Sequence, residues 1–512
     1  MAVEKAVASS SVVPGTYTTV NLKGGARSPG AAALRAIVMC PLAASGASMS
    51  ADTITTSVAD AETVAALVGR GTPGHLFAVA FFAENKTGQL DIAAAAAGGG
   101  VTATATAALT GTITEEMTVR STIAGRVVET NWAAGEAGSV AAARHATKLN
   151  DVKRELGLPT DHSTQASPND HIIDIDAAAA GLYGNDILAK VELIGGAGGT
   201  VTMSPTTGYL ATGTLEPDYA ALRGLIDTTK YDYIAMCVSN TEAALVTAGT
   251  NPADLKTHIT AMNSGLNASQ QNGIYGCTGL QSAALTGADA HNFEWMECVH
   301  AHKMQSLGCE FAGAECGQRM RERALYPAKN RIKMKYRARL YGVVTDTDKL
   351  GETELSTGIL GGLTEVVQSN DGSLSPARPV TTYHEDSDGN ADGRVRDTTI
   401  PDGMAHVVED LEVYVADEFS GKNVVEDQPA GSPPINNVNV VEVGDIRAAV
   451  EGRMELHIGA GVVNRASFEA SVTDGTFAVE IDDTDRTQVN MVIPFKIVNV
   501  HAKTGIVAKH VA

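Results

Sequence analysis

The sequence predicts a multidomain chain of mixed α/β class with an inserted β-rich domain. Its 512 residues exceed the size of one hydrophobic core, so several domains are expected. Helical and strand periods alternate in separated stretches, and a Thr-rich, Gly-rich stretch lies between them. The predicted divisions are an N-terminal arm at 1–30, α/β segments at 31–85, 214–345 and 346–500, the insertion at 86–213, and a C-terminal arm at 501–512.

The first part of the chain combines an extended arm with strands and a helix. Val12–Val20 is predicted to be extended, and the apolar run Arg35–Met39 is predicted as a buried strand. Asp60 is placed to cap a helix that ends at Val68. Leu76–Phe82 is predicted as a second buried strand. Alternating threonines at 101–106 and 112–122 then predict the strands of the insertion.

The second α/β stretch returns to alternating elements. Helices are predicted after Asp218, after Pro252 and across Phe293–Met304, and strands at Tyr231–Val238 and Ile274–Cys277.

The C-terminal part is predicted to hold an amphipathic helix and a half-buried strand. Asp445 is placed to cap the helix, whose apolar face consists of Ile446, Val450, Met454 and Ile458. Alternation across Val489–Ile497 predicts the strand, and Thr504–Ala512 follows as a short β-forming tail.

Composition excludes several function classes. The chain has 38 Lys and Arg against 59 Asp and Glu, and its net charge of -21 argues against nucleic acid and anionic membranes as partners. Charged residues, Gly and Thr interrupt every apolar run, so neither a membrane span nor a signal peptide is predicted.

Motifs for catalysis and cofactor binding are not found. Nucleophile elbows, phosphate-binding loops and His-Glu-x-x-His are missing, so no catalytic, cofactor-binding or metal residues are predicted and the chain is not expected to be an enzyme. Gly69–Gly74 matches Gly-x-Gly-x-x-Gly but is predicted to follow a helix, the reverse of the dinucleotide-binding order. The α/β alternation between Glu216 and Cys277 keeps a cofactor-binding enzyme open as an alternative.

Two possible metal sites have weak support. Cys298 and His302 would lie one turn apart on the predicted helix, but their spacing matches no Cys-x-x-Cys pair. The run Asp386–Asp392 is similar to a calcium loop, yet Ala391 stands where an EF-hand needs Gly, and an acidic turn is the preferred interpretation.

A basic stretch stands out in this acidic chain. If it forms a strand, five alternating cations share one face: Arg331, Lys333, Lys335, Arg337 and Arg339. Two interpretations remain open, a solvated outer face and a clamp on an acidic neighbour or on a tube surface.

Several separated segments, in order, resemble the contractile tail sheath family of Mu-like bacteriophages. The similar segments are Val13–Tyr17, Ala61–Gly74, Gly181–Ile187 (Gly-x-x-Gly-Asn-Asp-Ile), Tyr231–Ile234, Gly372–Asp397 with Arg378–Tyr383 inside it, and the ending from Asp485. The resemblance covers nearly the whole chain. The basic stretch Ala314–Tyr341 departs from the family, which has an Asp-Pro-Ala-Arg-Pro-like segment there.

The resemblance implies a tail-sheath fold, with inner and middle α/β domains, a peripheral β-rich domain and extended β arms at both ends. It implies a structural subunit that forms a helical stack of rings, hexameric by resemblance, around a tail tube protein, and that contracts to drive the tube through the host envelope. Baseplate and tail terminator or neck proteins are further expected partners. The expected location is the virion, after assembly in the host cytoplasm, and the sheath of an R-type bacteriocin or a related injection device is the alternative.

The arms are expected to donate strands to neighbouring subunits. The residues expected to do so are Val12, Val13, Tyr17, Val20, Ile506, Val507 and Val511, with Gly24, Gly25 and Gly30 as hinge positions.

The cysteines are too few to form a disulfide scaffold in so long a chain. The six are Cys40, Cys237, Cys277, Cys298, Cys309 and Cys316. Buried reduced thiols are the first interpretation, and disulfides between subunits of the released particle are the alternative.

Overall fold

The structure, a computed structural model, describes residues 18–19, 34–43, 46–96, 100–227, 229–244, 251–265, 270–327, 329–429, 437–484 and 488–498. The predicted arm residues Val12, Val13, Tyr17, Val20, Ile506, Val507 and Val511 lie outside these ranges, as do Gly24, Gly25 and Gly30.

Strands occur throughout the described ranges. They are β1 (Thr18–Thr19), β2 (Arg35–Pro41), β3 (Thr53–Val58), β4 (Gln89–Ala95), β5 (Thr104–Glu115), β6 (Met117–Ile123), β7 (Arg126–Trp132), β8 (Thr160–Thr164), β9 (Ile172–Ala177), β10 (Ala189–Ile194), β11 (Ala197–Ser204), β12 (Tyr233–Met236), β13 (Ser264–Gly265), β14 (Asn272–Cys277), β15 (Met296–His300), β16 (Leu363–Gln368), β17 (Leu374–Pro376), β18 (Asn423–Val425), β19 (Val440–Glu442), β20 (Ala478–Ile481) and β21 (Val489–Val492).

Helices alternate with these strands, and the predicted mixed α/β class is confirmed. They are α1 (Ala61–Val68), α2 (Pro73–Glu84), α3 (Gly138–Leu156), α4 (Ala220–Ile226), α5 (Asn240–Ala243), α6 (Asn251–Met262), α7 (Gln281–His291), α8 (Gly308–Leu325), α9 (Glu352–Leu360), α10 (Thr399–Phe419), α11 (Val443–Gly459) and α12 (Arg465–Thr473), with short 3-10 helices at Leu182–Asp186 and Asp346–Asp348.

An eight-stranded sheet forms the centre of the molecule. Its order is β17-β16-β15-β14-β12-β2-β4-β3, and the six strands from β4 to β16 are parallel to one another. When these six strands are numbered by their order along the chain, their order across the sheet is 2-1-3-4-5-6. This is the arrangement of a doubly wound α/β sheet. The order therefore reverses between β2 and β12.

Both faces of the central sheet are covered, which explains why its strands are continuously apolar. Ala36 and Val38 of β2 point into a buried cluster that also holds residues of α2 and α8. Ile37 and Met39 point into a second cluster with residues of α4, α6 and α11. Because side chains alternate along a strand, these two clusters lie on opposite faces.

The β-rich insertion lies between β4 and β12. It contains a three-stranded sheet (β10-β6-β7), a four-stranded sheet (β11-β5-β9-β8) and α3. Its predicted start at residue 86 is too early, because β4 pairs with β2 in the central sheet. The predicted boundary at 345 also shifts, because β16 and β17 extend the central sheet, and the C-terminal helices begin with α10.

Most of the predicted helices and strands are confirmed, and two have the wrong type. Asp60 caps α1 by accepting from the Thr63 backbone N–H at 2.7 Å, and all four apolar residues predicted on α11 are buried. Leu76–Phe82 is part of α2 rather than a strand, and Phe293–Met304 contains β15 rather than a helix. Both elements are buried on nearly every side, so their sequences carry little periodicity.

Asp445 acts differently from the prediction. Glu442 precedes α11, and its backbone N–H donates to Asp445 Oδ2 at 3.3 Å, so Asp445 serves from inside the first turn. The predicted strand across Val489–Ile497 is shorter, because β21 ends at Val492 and Ile497 forms a bridge with Val463.

Candidate functional site

The crevice between β2 and β12 is the place where a doubly wound fold would bind a ligand. Ligands of such folds lie beyond the carboxyl ends of the strands, where the strand order reverses. In this chain the N-terminal ends of α2 and α8 border that position, through Pro73 and Gly308, beside Cys237 and Val238 that follow β12.

The insertion fills this crevice. The 3-10 helix Leu182–Asp186, part of the Gly-x-x-Gly-Asn-Asp-Ile segment, brings Tyr183 and Asp186 into it. Asp186 Oδ2 accepts from the Asn240 backbone N–H at 2.8 Å. The remaining cavity measures about 10 Å³, which is room for about one water molecule.

Burial raises the pKa of two carboxyl groups at this crevice. It raises the pKa of Asp186 to about 7, although the bonds from Asn240 favour the charged form. It also raises the pKa of neighbouring Glu216 to about 8, where Glu216 Oε1 accepts from the Ser239 backbone N–H at 2.7 Å. Both carboxyls accept hydrogen bonds from the backbone that follows β12, and they stabilise the contact between the insertion and the central sheet.

Helix α8 carries a buried network of charged side chains. Arg319 Nε lies 2.8 Å from Asp402 Oδ2 on α10, and Arg319 Nη1 lies 2.9 Å from Glu297 Oε2 on β15. The guanidinium also stacks over the Tyr233 ring, with 5.2 Å to its centroid. Burial raises the pKa of Asp402, but Arg319 and Arg331 outweigh this effect and hold it below its usual range.

The same helix contacts the insertion and the helix before it. Glu310, at the start of α8, pairs with Arg126 of the insertion, and both side chains are buried. Arg321 Nη1 lies 3.2 Å from Glu84 Oε2 at the end of α2. Helix α8 therefore joins the insertion, the central sheet and α10 through ion pairs.

Glycines allow α8 to approach α2 closely. A Cβ atom on Gly313 would lie 2.4 Å from the Phe77 carbonyl oxygen, and one on Gly317 would lie 2.6 Å from that of Phe81. Such separations are well inside van der Waals contact, so only Gly fits at these crossing points.

The basic stretch does not form the predicted strand, because a turn with Lys333 at a φ of 54° interrupts it, and only part of the stretch is exposed. Lys333 N and Tyr336 N donate to the carbonyls of Pro376 and Leu374, so the segment runs beside β17. Arg331 contradicts the prediction of five cations on one face, because it is buried and pairs with Glu315 and Thr398. The exposed members are Lys333, Lys335, Arg337 and Arg339.

The exposed cations differ in their contacts. Lys335 Nζ lies 2.6 Å from Asp371 Oδ2, and both side chains are mainly in solvent. Arg339 lies over the Tyr341 ring, with 5.6 Å to the centroid. Within the described ranges, no carboxylate lies within 4 Å of the side-chain nitrogens of Lys333 or Arg337.

Comparisons with known proteins find solved structures that are similar to this chain at low sequence identity. No family model matches the chain, and no curated protein matches it. A sheath tail protein from Desulfitobacterium hafniense aligns over 95% of this chain and 100% of its own, with 10% identity and a TM-score of 0.43. A sheath tail protein from Listeria innocua aligns over 86% and 87%, with 12% identity and a TM-score of 0.39.

A third similar structure is a chain of the anti-feeding prophage baseplate. It aligns over 59% of this chain and 76% of its own, with 10% identity and a TM-score of 0.35. All three TM-scores lie below 0.5, so these similarities carry no argument about function.

The positions of the cysteines argue against disulfides between subunits. Cys40, Cys237, Cys277, Cys298, Cys309 and Cys316 are all buried and unpaired. Burial also raises the pKa of Cys40 to about 12, which suppresses the thiolate that disulfide exchange needs. Cys277 and Cys298 Sγ lie 3.9 Å apart on neighbouring strands of the same chain, inside the core.

The residues of the two possible metal sites considered from the sequence have structural contacts instead. Cys298 and His302 do not share a helix, and His300 is held by Glu365 at 2.7 Å and by the Gly279 carbonyl at 3.0 Å. Asp386 accepts from the backbone N–H groups of Asp388 and Asn390, which closes an acidic turn. Among the described residues, no helix is both long and apolar enough to cross a membrane.

Sequence reasoning missed the buried charge network. Arg319, Glu297 and Asp402 are far apart in the sequence, and none belongs to a short motif. One available signal was the run of charged residues within 308–325, between otherwise small and apolar neighbours. That composition is typical of a solvated helix face, and only the tertiary structure shows that the charges pair inside.

Proposed function

We propose that this chain is the structural subunit of a contractile tail sheath, which stacks as rings around a tail tube and shortens to drive the tube through a host envelope. The observation that carries the proposal is that segments similar to sheath proteins occur in family order and lie at the joints of this fold. Gly181–Ile187 fills the crevice, and Arg378–Tyr383 links β15 and β16 to the start of α10.

The second of these joints is tightly bonded. Thr364 Oγ1 of β16 accepts from the Val380 backbone N–H at 2.8 Å, and Thr382 N donates to the Met296 carbonyl at 2.8 Å. Arg378 and Asp397 form two parallel bonds of 2.7 Å, two residues before α10 begins. These contacts suit a subunit that moves as a rigid body during contraction.

The filled crevice supports a structural role over a catalytic one. A cofactor-binding α/β enzyme needs an open cleft at the strand-order reversal, commonly of several hundred Å³. Here Tyr183 and Asp186 occupy that position and leave about 10 Å³.

We propose that two-stranded sheets of the C-terminal part accept the donated arm strands. Within the described residues, β18 pairs only with β19 and β20 pairs only with β21. Each strand therefore presents one backbone edge, and two-stranded sheets are weak on their own. An arm from a neighbouring copy would add a third strand. Tail tube, baseplate and terminator proteins are the further partners of this proposal.

Charge offers a second contact between copies. Residues 399–500 contain 18 Asp and Glu against 6 Lys and Arg. Asp402, Glu409, Asp410 and Asp482 are buried, and exposed acids such as Asp417, Glu418 and Glu455 form the acidic C-terminal surface. The exposed cations of the basic stretch would face this surface on the next copy, where opposite charges favour docking and register.

Deleting residues 1–17 tests the arm mechanism, and it leaves β1 paired with β13 of the same chain. We expect the full-length chain to sediment as large particles, and the deletion variant to sediment as a monomer with an unchanged thermal unfolding midpoint. Sedimentation velocity on both proteins measures the difference. Equal assembly of the two proteins would contradict strand donation by the N-terminal arm.

A further inference from the structure

Three side chains with metal-binding chemistry converge beside the C-terminal end of α7. Asp289, His384 and Glu385 each place one ligand atom within 4.8 Å of the other two. His384 Nε2 and Asp289 Oδ1 are 3.0 Å apart. No metal was expected from the sequence, because Asp289 and His384 are 95 residues apart and match no motif.

The hydrogen bonding of His384 leaves its Nε2 available to a cation. Its Nδ1 lies 2.9 Å from the Thr382 carbonyl oxygen, which only accepts hydrogen bonds, so Nδ1 carries the proton. Nε2 then faces Asp289 Oδ1, to which it donates when the ring is protonated, and the neutral ring offers the lone pair of Nε2 to a cation. Two metal ligands, each about 2.1 Å from an ion, are separated by about 3.0–3.4 Å at octahedral or tetrahedral angles, which the observed 3.0 Å fits.

The backbone under the cluster is preformed. Asn292 Oδ1 accepts from the backbone N–H groups of His384 and Glu385 at 2.9 and 3.2 Å, and Asn292 Nδ2 donates to the Glu385 carbonyl at 2.9 Å. The His384 carbonyl also accepts from Asp392 N at 2.7 Å. Because this backbone geometry exists without an ion, binding requires adjustment of the side chains only, chiefly of Glu385.

The local charge also calls for a cation. Asp289 lies in the last turn of α7, where the helix carbonyls carry partial negative charge. Within the described ranges, no Lys or Arg nitrogen lies within 4 Å of the carboxylates of Asp289 or Glu385. No Lys or Arg therefore offsets the two carboxylates at the negative end of this helix.

We propose that Asp289, His384 and Glu385 bind one divalent transition-metal ion of the zinc class, which ties α7 to the acidic turn at 385–391. One imidazole nitrogen with two carboxylate oxygens suits such ions better than Mg²⁺ or Ca²⁺, which prefer oxygen ligands alone. Three protein ligands leave a fourth position for water. This site is independent of the proposed assembly function.

Calorimetric titration of chelator-treated protein with ZnCl₂ tests the site. We expect one Zn²⁺ per chain, and a higher thermal unfolding midpoint when Zn²⁺ is present. Asp289→Asn keeps the size of a mostly exposed side chain, so the variant is expected to fold normally. It should weaken Zn²⁺ binding by more than about tenfold, as should His384→Gln.

Asp388→Asn is the matched control, because it removes one exposed carboxylate from the same turn without touching the cluster. We expect it to bind Zn²⁺ as the original chain does. The proposal is overturned if the chain binds no Zn²⁺ under these conditions, or if Asp289→Asn binds it as tightly as Asp388→Asn.

Discussion

At the scale of single residues, the stability of this chain depends on charges that are buried in pairs. Asp402 accepts two bonds from Arg319 and one from the Tyr233 hydroxyl at 2.8 Å. A buried ion pair gives little net stability compared with apolar residues, but removal of one partner leaves an uncompensated charge in the core.

Asp402→Asn is therefore predicted to destabilise the chain strongly. The substitution keeps the shape but removes one of the two carboxylates that pair with Arg319, and losses of about 3–5 kcal/mol are typical of such changes. Urea unfolding followed by circular dichroism measures the effect. Asp371→Asn, in the exposed pair with Lys335, is the control and should leave the unfolding midpoint nearly unchanged. Equal midpoints for the two variants would contradict a buried network.

Asp186 predicts a pH dependence of stability. Its pKa is about 7 in the folded chain and about 3.9 when unfolded, so folding favours the protonated form. The stabilising contribution is full below about pH 4 and is lost as the pH rises through 7. Asparagine at position 186 stays neutral at every pH. The thermal midpoint of Asp186→Asn, minus that of the original chain, should therefore increase between pH 4.5 and pH 7.5.

Glu216 is present in both proteins, so the difference between their pH profiles isolates Asp186. Parallel thermal profiles across this pH range would show that Asp186 is ionised in the folded chain, in contradiction to its burial in the crevice.

At the scale of elements, sequence patterns predicted most of the helices and strands that have one apolar and one polar side. They failed at α2 and β15, where burial on nearly all sides removes the contrast between apolar and polar positions. For α2 a local signal existed, because Thr72 caps the helix and Pro73 occupies its first turn. For β15, spacings of three residues between apolar positions coincided with a helical pattern by chance.

The contact between α2 and α8 gives a prediction at this scale. Gly313→Ala should destabilise the chain by about 1–3 kcal/mol, because its new methyl group would overlap the Phe77 carbonyl. Gly452→Ala is the control on α11, where the added methyl meets nothing within 4 Å. Replacing Gly in an exposed helix stabilises it by about 0.5–1 kcal/mol. Thermal unfolding of both variants should therefore show opposite signs, and a gain for Gly313→Ala would refute the close crossing.

At the scale of the whole molecule, α8 connects parts that are distant in the chain. Its ion pairs reach Arg126 in the insertion and Asp402 on α10. The resemblance to a family suggested several domains, but it did not show that one buried helix joins them. That information lies in contacts between residues far apart in sequence, which no local pattern carries.

Assembly should depend on the exposed cations of the basic stretch. The double variant Lys333→Glu with Arg337→Glu should greatly reduce the pelletable fraction, because it places like charges against the acidic C-terminal surface of the next copy. The control is Lys86→Glu with Lys148→Glu, which makes the same charge change at other exposed positions. Equal pelleting of the two double variants would exclude the basic stretch as an interface.

The most direct test of the sheath proposal is negative-stain electron microscopy of the full-length chain, expressed alone and together with the tail tube protein of the same particle. The account predicts hollow, striated cylinders that form without nucleotide. Folded particles that remain monomeric in both preparations would contradict it.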